Sequence, residues 1–151
     1  MEEAIDRYHV AKGYFQSSIM IFRNPERNSP SREILTLPSM YMLCGFALEL
    51  YFKSWLLESG RPSENVRRYG HKISKLYEEA KKESLPSLHG LEGLVQDLAP
   101  GHENLTFRYM SKDDNFPMLN WEGVFSILND LDTIVDEKVG ASESRGLAPG
   151  H

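Results

Sequence analysis

Met40-Tyr41-Met42-Leu43-Cys44-Gly45-Phe46-Ala47-Leu48-Glu49-Leu50-Tyr51-Phe52-Lys53-Ser54-Trp55-Leu56-Leu57 is the most apolar stretch of the chain, and its reading decides the fold. Its length suits a membrane span, but Glu49 and Lys53 fall inside it. A carboxylate or ammonium facing lipid at mid-bilayer costs roughly 3 kcal/mol or more. The stretch is apolar around most of its circumference, which marks a central helix enclosed by other helices. Pro38 suits its first turn, where the missing N–H costs nothing. Gly60 is a natural stop, so the helix is expected to run to about Glu58.

Helical periodicity continues on both sides. Ile5, Tyr8, Ala11, Phe15, Ile19 and Phe22 recur at steps of three and four, the apolar stripe of a first helix that ends before Pro25. Residues 24–37, with Pro25, Asn28, Ser29 and Pro30, read as a loop. After the central helix comes a basic connector from Arg61 to Gly70, with room for one helical turn after Ser63. A third helix starts near His71 with Ile73, Leu76, Tyr77 and Ala80 facing inward, and Pro86 breaks it. Leu88, Leu91, Leu94, Val95 and Leu98 mark a fourth helix, which Pro100-Gly101 is expected to end. Residues 101–118 read as irregular, and Trp121, Val124, Phe125, Leu128, Leu131 and Val135 as the last helix. Nothing alternates with period two. The expected fold is all-α, an up-and-down bundle of four to five helices, with one domain over 1–139 and a mobile C-terminal tail over 140–151.

The 151 residues carry a formal net charge of -5 with 26% charged and 40% hydrophobic residues, ordinary for a globular domain. The acidic start, Met1-Glu2-Glu3, is unlike the basic opening of a secretory signal. The single cysteine, Cys44, lies in the apolar stretch and reads as a small buried hydrophobe. These features predict a cytoplasmic protein. No Gly-rich phosphate loop, His-Glu-x-x-His pair or Cys-x-x-Cys occurs. The histidines at 9, 71, 89, 102 and 151 stand far apart, so spacing predicts no metal site and no cofactor.

Glu49 and Lys53, four residues apart in the favourable order, are the informative pair. On an exposed helix such a pair contributes only ~0.2–0.5 kcal/mol, too little to explain two charges in so apolar a setting. A buried carboxylate must find partners or become neutral. The candidates are Arg61, Arg67, Arg68, His71, Lys72, Arg108 and Tyr109. The pair is open to two readings: a polar site lined by this helix face, or a salt bridge that ties the central helix to a loop. Arg61, Arg67, Arg68, Lys72 and Lys75 against Glu64 make a local basic patch in an acidic chain. Guanidinium suits phosphate, and Tyr69 and Tyr109 beside arginines offer stacking surfaces for bases. Asp130, Asp132, Asp136 and Glu137 are of the sign to neutralise that patch. His71, just after Gly70, either caps a helix and bonds Glu49 or serves as a general base toward an RNA 2′-hydroxyl, with Arg67 holding the phosphate.

Leu43-Cys44-Gly45-Phe46-Ala47-Leu48-Glu49-Leu50-Tyr51-Phe52-Lys53, then Gly70-His71-Lys72-Ile73, then Phe107-Arg108-Tyr109 resembles HEPN domains, the nucleotide-binding domains of higher eukaryotes and prokaryotes. The resemblance spans about residues 4–138. It implies a helical bundle, usually a homodimer, of bacterial toxin–antitoxin or defence systems, binding nucleotide or RNA or a nucleotidyltransferase partner. Many such domains are metal-independent RNases whose arginine stands four to six residues ahead of a histidine. Here three residues separate Arg67 from His71 and two separate Arg68 from it. Residue by residue, Glu49, Lys53, His71, Arg108 and Tyr109 match, with Arg61, Arg67 and Arg68 as a basic rim. Three functions follow: a nucleotide- or RNA-binding domain, a metal-independent RNase, or a structural dimerisation and partner-docking module.

Overall fold

In the computed structural model, which describes residues 2–109 and 116–151 without the side chains of 30–35, helix α1 (Glu2–Arg23) lies along α2 (Pro30–Glu58). α1 buries Ala4, Tyr8, Ala11, Phe15 and Ser18 at its three- and four-residue spacing. Asn24 stops it and accepts a hydrogen bond from the Glu26 N–H, opening a short 3-10 turn over Pro25–Asn28. α2 is the axle of the bundle. Cys44, Ala47, Leu48, Tyr51, Phe52 and Leu56 are all fully buried along it. Each large apolar side chain withdrawn from water there contributes about 1.5–3 kcal/mol.

Around α2 stand α3 (Ser63–Arg68), α4 (Ile73–Lys82), α5 (Leu91–Glu103) and α6 (Trp121–Val139). α2 touches every one of them. Six α-helices and no strands occur among the described residues, an all-α bundle with one helix more than the upper expectation. The extra one, α3, is short and buries only Val66. No described helix is long and apolar enough to cross a membrane.

Three expectations are corrected. The loop expected over 24–37 closes by Ser29, because Pro30 takes the first-turn place assigned to Pro38, which lies inside α2. α5 runs through Pro100 to Glu103 instead of ending there. A Cβ at Gly101 would lie 2.4 Å from the Phe107 ring, so glycine lets that ring close on the continuing helix. Part of the irregular segment expected over 101–118 is therefore helical, Thr106–Arg108 forms a 3-10 turn, and 110–115 lie outside the described residues. In the tail over 140–151, Asp136 accepts from the Ser142 N–H and hydroxyl and from the Gly150 N–H, and Ala141 and Ser142 are buried.

Candidate functional site

Glu49 and Lys53 project from one face of α2, and Lys53 Nζ donates to Glu49 Oε1 at 2.7 Å. The other oxygen, Oε2, receives two imidazoles. His71 Nδ1 lies 2.9 Å away and His102 Nε2 2.7 Å away. A carboxylate oxygen only accepts, so each ring must direct an N–H at it. His71 sits in the turn between α3 and α4, closed by the Lys72 N–H to the Tyr69 carbonyl. His102 comes from the last turn of α5 and is buried. Three segments far apart in sequence thus meet on one oxygen.

Packing fixes both rings. Phe46, one turn before Glu49, meets the His102 ring edge-on at 4.8 Å and the His71 ring edge-on at 5.8 Å. A Cβ at Gly45 would lie 2.5 Å from His102 Nδ1, so only glycine admits that ring. Burial alone would raise the Glu49 carboxyl, but hydrogen bonds from His102, Lys53 and His71 outweigh it and hold the group at about 2. Glu49 therefore stays charged across the ordinary pH range.

The sequence candidates separate into three groups. Glu49, Lys53 and His71 are brought together. Arg108 stands at the edge of the cluster, its guanidinium 5.5 Å from the Phe46 ring, in a small pocket it lines with His102, and Tyr109 is 78% exposed. Arg61 is not a rim group: it bonds Glu83 at 2.6 Å and Glu79 at 3.0 Å. Of the four acids expected to neutralise the basic patch, Asp132 and Asp136 are buried, Asp132 held by Tyr51 and Lys12 and Asp136 by the tail. His102, expected in a loop, is the partner that sequence reading missed. Glu49, His71 and His102 also present one ligand atom each, all within 4.8 Å of one another, a set of donors that could hold a metal ion.

Lys53 connects this cluster to a cleft. A cavity of about 180 Å³ between α1, α2 and α3 is lined by Arg7, Lys53, Ser63 and Arg67 over a floor of Leu50, Leu57 and Val66. Its one acid, Glu3, accepts from Ser63 at 2.8 Å and pairs with Arg7 at 3.6 Å. Arg67 also borders a shallow depression with Arg68 and Glu64, so the basic lining continues outward along α3. Arg7 carries no sequence signal: it is an exposed residue of α1 that lines the same cleft as Arg67. Such a lining suits an anion whose charge is spread over several oxygens. Compared with protein-family models, with curated proteins and with solved structures, the chain matches none.

Proposed function

We propose that this chain is a HEPN-like helical domain that binds the phosphates of a nucleotide or of single-stranded RNA along Arg7, Lys53, Arg67 and Arg68. The observation that carries this reading is the position of Lys53. One end of its environment is the buried Glu49 carboxylate and the other is the cleft shared with Arg7 and Arg67. The Glu49 cluster fixes the ammonium in place, and a phosphate in the cleft meets a charge that has already lost its rotamer freedom. The exposed Tyr109 ring, next to Arg108, is a surface on which a base can stack. The resemblance of the Glu49, Lys53 and His71 motifs adds the setting, a toxin–antitoxin or defence protein acting as a dimer or beside a nucleotidyltransferase. Binding of fluorescent nucleotides and of a labelled oligoribonucleotide, read by anisotropy, tests the proposal. Arg7→Ala and Arg67→Ala should each weaken binding at least severalfold; equal binding by wild type and both variants would refute it.

A second reading, a metal-independent RNase, is favoured by one observation. Glu49 orients His71 through Nδ1, which in the neutral ring leaves Nε2 as the basic nitrogen, on a side chain 41% exposed. That is the arrangement of a carboxylate-oriented general base. RNA cleavage in the presence of a chelator, abolished in His71→Ala, would support it, and cleavage unchanged in that variant would exclude it.

A further inference from the structure

We propose that Glu49 Oε2, His71 Nδ1 and His102 Nε2 form a binding site for one divalent transition-metal ion, with zinc as the natural occupant. The three donors come from the middle of α2, from the α3–α4 turn and from the end of α5, and lie within 4.8 Å of one another. In a zinc site with ligands at about 2.0–2.1 Å, donor atoms stand roughly 3.3 Å apart. The two imidazole nitrogens lie 2.9 and 2.7 Å from the carboxylate oxygen. Binding an ion needs that oxygen to retreat and the two ring nitrogens, which stand no more than 4.8 Å apart, to settle at the same mutual spacing, movements of about 1 Å. The proton on each coordinating nitrogen leaves it, for the far nitrogen of the ring or for solvent.

Two features separate this cluster from an ordinary buried ion pair. First, the rings are set before any ion arrives: they stand at 87° to each other, both edge-on to Phe46, and His102 is seated against Gly45. Second, Lys53 holds the oxygen that the ion does not use, as an outer partner that orients a ligating carboxylate. Two imidazoles and one carboxylate favour zinc, cobalt or nickel over magnesium and calcium, which prefer all-oxygen shells. His71 is 41% exposed, so the ion enters from its side and keeps solvent in its remaining position. The Lys53 charge opposes a cation, so affinity should be micromolar rather than that of a closed structural zinc site. The proposal stands apart from the phosphate reading, because Lys53 is not a ligand and no cleft arginine takes part.

The test uses the full chain, stripped with a chelator and titrated with zinc alone by calorimetry, then with cobalt followed by its visible absorption. The expected result is one ion per chain at micromolar affinity, with cobalt bands of a low-symmetry nitrogen and oxygen environment. His71→Ala, on the exposed side and so tolerated by the fold, should lower zinc affinity by roughly 100-fold or more. Lys53→Met, which removes the opposing charge and leaves all three donors, should keep the one-ion stoichiometry. No saturable uptake at micromolar zinc would overturn the proposal. So would uptake that His71→Ala leaves unchanged, since that would place the ion on the exposed His9, His89 or His151.

Discussion

Glu49→Gln removes one negative charge from the centre of α2 while keeping the side chain's length and one carbonyl oxygen. In the wild type that carboxyl sits at about 2 against 4.5 for a free glutamate, because donors from His102, Lys53 and His71 overcome the cost of burial. A depression of that size corresponds to about 3 kcal/mol in favour of the charged form. The glutamine carbonyl still accepts one bond, but its amide points donors at groups that are themselves donors. Glu49 and the His102 ring are almost wholly buried, so water cannot replace what is lost. The expected destabilisation at neutral pH is about 3 kcal/mol, measured by urea unfolding with an unchanged slope, or a fall in Tm of roughly 6–12 °C. The pH dependence supplies a second reading of the same quantity. A carboxyl lowered in the folded state contributes stability that is complete above the unfolded value and lost as pH falls through the folded one. The gap between wild type and variant should therefore close between about pH 4.5 and 2. A loss below about 1 kcal/mol, or a gap that does not change with acid, would refute the reasoning.

Other outcomes follow from neighbouring contacts. Gly45→Ala places a Cβ 2.5 Å from His102 Nδ1 and should dislodge that ring, costing roughly 1–3 kcal/mol in thermal or urea unfolding. Burial would raise the Asp136 carboxyl, but hydrogen bonds from Ser142 and Gly150 keep it below its usual range. The tail contact should thus persist above the ordinary aspartate range and be lost in acid below it, read as hydrogen exchange at the Gly150 and Ser142 amides. Asp136→Asn should release the tail at neutral pH and hasten its digestion by carboxypeptidase. Burial pushes the Cys44 thiol up to about 12, so a thiol reagent should label it only as the chain unfolds.

The central helix was legible because its apolar residues wrap most of the circumference, a pattern that an enclosing bundle satisfies. Glu49 and Lys53 stood out against that background for the same reason, since charges in such a helix demand partners. His71 was legible from its place after Gly70. His102 was not, because Pro100-Gly101 reads locally as a stop and the contact of Phe107 on Gly101 that carries α5 further is a tertiary fact. The tail lacks periodicity, and what holds it is one buried carboxylate gathering backbone N–H groups, which no side-chain pattern encodes. Arg61 misled in the opposite sense: a basic residue in a connector looks available until α4 brings Glu79 and the residue after its end, Glu83, against it.

Salt dependence of RNA binding addresses the phosphate cleft most directly. A short single-stranded oligoribonucleotide, titrated against wild type and Arg67→Ala over a series of salt concentrations, gives the number of phosphate contacts from the slope of log affinity against log salt. Each single-strand contact contributes about 0.7 to that slope. The expected result is a steep fall for wild type and a slope shallower by about 0.7 for Arg67→Ala. Binding that does not change with salt, or a slope identical in the two proteins, would contradict the assignment of this cleft to phosphate.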